Sequence, residues 1–441
     1  MALAWICLLE ALFRGAAADH FYFHPWTSEY MMQTVSVRDL RAEPFKSLWY
    51  NHIQPPVFDA IRAVLVALSP QAEGDDLIRS VDAGLYRIWM MVYAVTVATI
   101  FSWLRQACGL QLAVLGFCVF LVLPGPIFYA AFLDSTLLSS TLVLLFFWIL
   151  WRFGRGDEVA GRLVIVSILL VLTRSVFQWP FLMVLGASLM LMRVPIRKVS
   201  RVLLPISLVM IAFQAKQYVL FGLTTTSSFG PGSFCRALSQ RCPGTTVVPL
   251  PKMTDSANAL VLRRIVKLNG RYNYNQKAFL KTSFSEMTEF KERFRVLTFG
   301  QILDLAKINF GIFLRPTSRY SAHVIVDHLP WRDPLDIVLS GWRVGVLVTL
   351  STLVWVSRWR RLPRDASGRA LFHGVGLLLP ALYIAAVSIL FESGENNRFR
   401  FFLEPTIFVF FCMSLSEASN AWRSRRAARI AAHVNQGIGI A

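Results

Sequence analysis

Residues 135 to 162 read STLLSSTLVLLFFWILWRFGRGDEVAGR. The apolar run ends at Trp151, and Arg152, Arg155 and Arg162 follow in close succession. A helix that crosses the hydrocarbon core of a bilayer needs about 20 apolar residues, and arginines that halt such a run mark one membrane face. This stretch therefore predicts a membrane span with a short basic connection after it.

Working outward, comparable apolar runs lie near 1 to 18, 85 to 106, 108 to 124, 162 to 174, 176 to 192, 202 to 221, 336 to 357, 371 to 391 and 401 to 416. With the run from 135 to 151 they predict an all-α polytopic membrane protein of about ten transmembrane helices. The run before Arg174 is short and reads as a tilted, broken or partly re-entrant element. Composition agrees: 55% of residues are hydrophobic, 16% are charged, and the mean hydropathy is +0.51. A soluble multidomain protein is excluded. The formal charge of +19 would point to nucleic acid in a soluble chain. Here the cations sit in short flanking clusters, so nucleic acid is not an expected partner and membrane lipids are.

Those clusters set the orientation. Arg152, Arg155 and Arg162 share one side with Arg193, Arg197, Lys198 and Arg201, with Arg358, Arg360, Arg361, Arg364 and Arg369, and with Arg423, Arg425, Arg426 and Arg429 if ten spans are counted. The positive-inside rule makes that side cytoplasmic. Both termini then lie in the cytoplasm, and two long segments lie outside, residues 19 to 84 and 222 to 335. The chain divides into an N-terminal transmembrane module (1–221) that includes the first outer loop, an outer domain (222–335), and C-terminal helices with a basic tail (336–441). The N-terminus has Ala16, Ala17 and Ala18 after an apolar run but lacks a basic leader and carries Glu10, so an uncleaved first helix is expected over a signal peptide. Cys7, Cys108, Cys118 and Cys412 fall in apolar spans, whereas Cys235 and Cys242 share a polar outer loop, where a local disulfide fits an oxidising compartment. The sequence has no Asn-x-Ser/Thr sequon, which favours a bacterial inner membrane with its outer loops in the periplasm.

The first outer loop is dense in aromatics, His, Pro and acids. Helical spacing runs from Glu29 to Leu40 and from Pro56 to Leu68, and the second stretch places Val57, Ile61, Val64 and Leu65 on one face, as in an interfacial helix. Between them Trp49-Tyr50-Asn51-His52-Ile53-Gln54-Pro55-Pro56 displays a His beside aromatic rings on a backbone stiffened by prolines. The second outer segment is basic, with fifteen Lys or Arg against six acids up to residue 329. It opens on a hydroxyl- and glycine-rich stretch, Gly222 to Ser233. Lys216 precedes it in an apolar run, and an ionisable residue at membrane depth is a functional candidate. Asp134 and Arg174, each near the outer end of a span, are candidates for the same reason, with a mutual ion pair as the structural alternative. A third outer element, Phe391-Glu392-Ser393-Gly394-Glu395-Asn396-Asn397-Arg398-Phe399-Arg400-Phe401-Phe402-Leu403-Glu404-Pro405, sets two arginines among aromatics. Their counter-charge is either a neighbouring glutamate or a phosphate at the membrane surface, which Arg holds bidentately.

Early acids, a mid-chain acid and late cations on one membrane face suit a base that deprotonates an acceptor hydroxyl while cations stabilise a phosphate leaving group. In this the sequence resembles the superfamily C multi-spanning glycosyltransferases, which use polyprenyl-phosphate sugars and include the protein mannosyltransferases and the aminoarabinose transferase of lipid A. The resemblance rests on a long first outer loop with an early acid, on His52-x-x-Pro55-Pro56, and on Asn397-Arg398-Phe399-Arg400 running to Glu404-Pro405. It implies a transferase that moves a sugar from a polyprenyl-phosphate donor to a glycan, lipid or protein acceptor. Carried over, it implies Glu29 as base and Asp134 as supporting acid, Lys216, Arg398, Arg400 and Arg174 on the donor phosphate, and Tyr30, Trp49 and Asn397 at the substrate. Many members show an Asp-Glu pair here, whereas Trp26-Thr27-Ser28-Glu29-Tyr30 offers one acid, so Asp19 stands as the alternative base and His52 as a further catalytic candidate. The first outer loop has no Asp-x-Asp, and His20 with His24 is a poor set for a hard cation, so no obligatory metal is expected, although a divalent cation is left open. The principal rival is a transporter or flippase of an anionic or lipid-linked substrate, which would more naturally show internal repeats.

Overall fold

The structure is a computed structural model and describes residues 27–239, 265–314, 364–392 and 396–437. It is helical, with no strand among the described residues. Four helices precede the first long one: α1 (Thr27–Tyr30), α2 (Val37–Ala42), α3 (Pro44–Trp49) and α4 (Val57–Ala67). A run of apolar helices follows: α5 (Gly74–Cys108), α6 (Leu110–Leu121), α7 (Pro124–Ala131), α8 (Ser135–Gly154), α9 (Ala160–Val171), α10 (Trp179–Leu191) and α11 (Ile196–Phe221). The second outer segment supplies α12 (Gly230–Ser239), α13 (Lys277–Val296) and α14 (Phe299–Phe313), and the C-terminal part supplies α15 (Arg364–Leu390), α16 (Asn396–Phe401) and α17 (Glu404–Gly437).

Among the described residues three helices are long and apolar enough to cross a membrane: α5, α8 and the His373–Leu390 part of α15. The pair α6 and α7 reaches that length together but is bent by 58°, because Pro124 at the first turn of α7 removes a backbone donor and ends the preceding helix. The described residues thus form a helical, membrane-type protein with three or four candidate spans. The expected spans near 1 to 18 and 336 to 357 lie outside the described residues. Those near 162 to 174 and 176 to 192 form the shorter apolar helices α9 and α10, of 12 and 13 residues.

Three local expectations change. The helix that carries the apolar run read from 85 begins earlier, at Gly74, with Asp75 and Asp76 in its first turn, where acids favour the helix dipole. The helical stretch expected from Glu29 to Leu40 is split into α1 and α2. The second stretch does form α4, with Pro56 as its N-cap, but its buried residues are Phe58, Asp59, Arg62, Ala63, Leu65 and Val66. Val64, expected on the apolar face, is exposed. Leu65 is buried, whereas the fully buried ion pair, Asp59 with Arg62, occupies positions outside the four aliphatics that periodicity placed on one face.

One apolar core runs through the bundle. Trp89, Tyr93 and Trp103 of α5 are fully buried in it with Phe146 and Phe147 of α8, and Trp103 packs edge-on to Phe410 of α17 at 5.6 Å. Between helices of membrane-crossing length such aromatic packing stabilises through dispersion and close fit rather than through exclusion of water. The α11 helix closes at Gly222, whose φ of 69° is a left-handed cap that glycine adopts without strain. The chain then turns into the outer segment.

Candidate functional site

Asp134 begins the site. It is the N-cap of α8, and its carboxylate accepts from the Thr136 amide at 2.8 Å and from the Thr136 hydroxyl at 2.6 Å. That satisfies helix donors that would otherwise be orphaned. The same carboxylate meets Arg398 Nη2 at 2.6 Å and lies 4.0 Å from Arg174 Nη2. Arg398 Nε also donates to Thr136 Oγ1 at 2.9 Å, and Arg174 Nη1 donates to Gln33 Oε1 at 3.2 Å. The Arg174 guanidinium sits 5.5 Å from the Phe402 ring and 5.9 Å from that of Phe399. All three ionised groups are buried; the Asp134–Arg174 approach is the structural alternative weighed from sequence, and Arg398 joins it from α16.

Arg174 also faces a cavity of about 440 Å³. Gln33, Gln54, Pro55, Ser175, Gln178, Thr225 and Ser227 give it a polar side, and Phe234, Phe290, Tyr383, Phe391 and Phe399 give it an aromatic one. Tyr383 is fixed by donating to the Val176 carbonyl at 2.6 Å. Glu392 lines the same cavity. The glutamines, Tyr383 and Glu392 are not singled out by the sequence as substrate-facing. Glu392 is visible there only as an ion-pair partner, and Tyr383 sits unmarked within an apolar span.

The other sequence candidates lie elsewhere. Arg400 turns away from Arg398: it reaches Glu404 at 2.8 and 3.1 Å and donates to the Phe313 carbonyl at 2.7 Å. It therefore pins the end of α14 to α16 and takes the glutamate partner rather than lining the cavity. Lys216 Nζ donates to the Asn51 carbonyl at 3.1 Å and stands 4.9 Å from the Phe213 ring and 5.8 Å from that of Trp49, an exposed residue. Tyr30 is exposed and accepts from Arg271 at 3.0 Å. Asn397 lies in α16, its side chain outside the described residues, as are Asp19, His20, His24 and Cys242. Cys235 is disulfide-bonded.

Glu29 and His52 are both buried, and each is held by partners that the sequence reading did not choose. Glu29 accepts from Ser36 Oγ at 2.7 Å, Arg62 Nη2 at 2.8 Å, the Val37 amide at 3.0 Å and the Leu268 amide at 3.3 Å. Arg62 bonds Asp59 at 2.9 Å with its other terminal nitrogen. Lys267, from the second outer segment, donates to the carbonyls of Glu29 and Met31 and to Thr34 Oγ1. Glu29 and Asp59 thus share a buried cluster with Arg62 and Lys267, and buried Asp82 adds a third carboxylate that acts on Arg62. Burial alone would lower the Arg62 pKa, but Asp59 and Glu29 outweigh it and hold the guanidinium charged. Burial pulls Lys267 down to about 8. His52 Nδ1 bonds Ser228 Oγ at 2.8 Å, its ring meets Phe221 edge-on at 5.2 Å, and its carbonyl accepts from the Ser228 amide at 2.8 Å. Burial, with the charge of Lys216, lowers its pKa to about 3, so it is neutral at physiological pH. Both residues join the stretch before α5 to the stretch after α11; neither lines the cavity, although Gln54, Pro55 and Ser227 beside the His52–Ser228 pair do.

Among the described residues no three His, Cys, Asp or Glu side chains converge as a metal site would require. No known family model matches the chain, and no characterised protein matches it. What the geometry offers chemically is a concave, largely aromatic surface with an arginine 4.0 Å from a buried carboxylate and with Glu392 among the lining residues. Such a site favours an amphiphile that carries an anionic group.

Proposed function

We propose that the chain is a polytopic membrane glycosyltransferase of about ten transmembrane helices, set in a bacterial inner membrane with its site facing the periplasm. It moves a sugar from a polyprenyl-phosphate donor to a hydroxyl of a glycan, lipid or protein acceptor. The observation that carries this reading is Arg174, held by Asp134 and Thr136 and facing a cavity walled by Phe399, Phe391 and Tyr383. An arginine pre-oriented in an apolar wall binds phosphate without first reorganising, which is where electrostatic stabilisation is most effective.

In this reading Glu392, which lines the cavity, takes the role expected of Glu29, which is not among the lining residues. Glu392 accepts the proton of the acceptor hydroxyl as that oxygen attacks the anomeric carbon. The bond from that carbon to the phosphate oxygen breaks, and the charge left on the phosphate is met by Arg174. Arg398 and Asp134 act through Arg174, by holding it. The aromatic wall takes the first isoprene units of the donor.

Native mass spectrometry of the protein in mild detergent tests this. A copurifying polyprenyl phosphate or its sugar conjugate, lost in Arg174→Ala, is the expected result. Ordinary phospholipid alone would overturn the reading. It would then favour a transporter or flippase, for which the 58° break between α6 and α7 is the supporting observation, since discontinuous helices frame many transport sites.

A further inference from the structure

The corner where α13 passes into α14 exposes more apolar surface than an outer domain in water would retain. Val296 is 77% exposed and Phe299 75% exposed, with Phe294 beside them. Along α14, Phe299, Leu303 and Phe310 are all exposed. Their spacing of four and then seven residues sets them in one stripe. That stripe adjoins the edge on which Asn309 and Phe313 are buried against the chain, where Arg400 holds the Phe313 carbonyl. Lys307 and Asp304 pair at 3.0 Å on the opposite, exposed side. The helix is therefore seated on the protein along one edge and apolar along the next, with Lys307, Asp304 and the exposed Ile308 on the remaining faces.

The charges around the corner are Lys291, Arg293 and Arg295 with Glu292 on α13, a net cationic collar next to exposed Phe and Val. An apolar wedge with a basic collar is the composition of a segment lying at a membrane surface, apolar residues among the acyl chains and cations at the headgroup phosphates. A bilayer is already adjacent to a chain whose α5, α8 and α15 have membrane-crossing length. The corner also connects to the cavity: Phe294 stacks on Phe290 at 5.7 Å, and Phe290 is part of the cavity wall.

We propose that the α13–α14 corner inserts into the outer leaflet and docks on anionic lipid headgroups, anchoring the second outer segment to the membrane. The cationic collar takes the headgroup phosphate, and Val296, Phe299, Leu303 and Phe310 enter the acyl region. This assignment does not depend on the reaction proposed above, since any membrane protein with this surface would use it in the same way.

The test is electron paramagnetic resonance on full-length protein carrying a spin label at Val296→Cys, Phe299→Cys or Lys281→Cys. Cys118 is replaced by Ser, and the protein is reconstituted in phosphatidylethanolamine vesicles with or without phosphatidylglycerol. Labels at 296 and 299 are expected to lose collisions with a water-soluble neutral nickel chelate and gain them with oxygen, while the label at 281, about four turns from 296 on α13, stays open to the chelate. Adding phosphatidylglycerol should deepen the first two, and Arg293→Gln with Arg295→Gln should remove that response. Chelate access at 296 and 299 equal to that at 281 overturns the proposal, as does a label shielded from both reagents, which would mean that protein covers the stripe. Insertion that ignores phosphatidylglycerol overturns the assignment of the collar to anionic headgroups.

Discussion

Arg398 Nη2 lies 2.6 Å from Asp134 Oδ2, although 264 positions separate the two residues in the chain. Two positions on, Arg400 faces the opposite way, onto Glu404 and the Phe313 carbonyl. The short α16 helix therefore splits its arginines between two tasks. One reaches the N-cap of α8 and, through it, Arg174 at the cavity wall. The other holds α14, and with it the exposed corner assigned above to the membrane surface.

Because Asp134 serves two buried guanidinium groups, its removal leaves both without that counter-charge. Asp134→Asn is expected to cost about 3–5 kcal/mol of stability, the range for breaking one side of a buried ion pair. Arg398→Ala should cost a similar amount. The double variant should cost clearly less than the two together. Chemical or thermal unfolding in detergent reads all three, and strict additivity would sever the link between the two residues.

Glu29 and Glu392 separate by what fails when each is changed. Glu29→Gln weakens a fully buried bond to Arg62, so it is expected to lower the unfolding temperature markedly and to loosen the docking of the second outer segment through Lys267 and Leu268. Glu392→Gln is expected to abolish transfer while the copurified lipid remains bound. The measurements are unfolding temperature and lipid occupancy by native mass spectrometry. A Glu29→Gln protein of unchanged stability that had lost only turnover would return the base to Glu29.

This division shows what the sequence can and cannot disclose. Asp134, Arg174 and Arg398 stand out as single charges at the ends of apolar runs, because placing an ion at membrane depth is costly enough to mark it. The long apolar helices are legible for the same reason. Glu29 and His52 were equally conspicuous as residues, yet their surroundings were not, since the groups that bury them come from distant positions: Arg62, Ser228 and Lys267. The one nearby signal was Asp59 with Arg62, an i, i+3 pair on α4. It lies outside the apolar face that periodicity assigned, at positions that turn out to be fully buried. Glu392 was hidden by abundance, one of several acids in a short loop.

Packing of the outer segment has its own test at Gly232 in α12. A Cβ there would come 2.6 Å from Glu286 Oε2 of α13, closer than van der Waals contact allows. Gly232→Ala sets a helix-propensity gain of about 1 kcal/mol against displacement of the flexible end of Glu286, so it is expected to cost no more than about 1 kcal/mol net. Glu286→Ala in the same chain should recover part of that loss by removing the clashing carboxylate. Unfolding temperatures of the single and double variants decide it, and no recovery in the double variant would place the strain elsewhere.

His52 makes stability depend on pH with a definite sign. Its folded pKa of about 3 lies below the ordinary histidine value of 6.5 because the ring is buried and Lys216 stands nearby. Between those values the unfolded chain holds a proton that the folded one does not, so stability rises with pH across that window. The contribution is fully present above pH 6.5 and is lost as pH falls toward 3, by up to about 5 kcal/mol at 1.36 kcal/mol per unit. Carboxylates titrate in the lower part of the same range, so the informative quantity is the difference between the wild type and His52→Gln. The substitution is expected to lower stability at pH 7 by removing the ring's contacts with Ser228 and Phe221. The wild-type advantage should shrink steadily from pH 6.5 downward. Unfolding temperatures at half-unit pH intervals measure it, and an advantage that stayed constant down to pH 4 would mean that His52 is protonated in the folded protein.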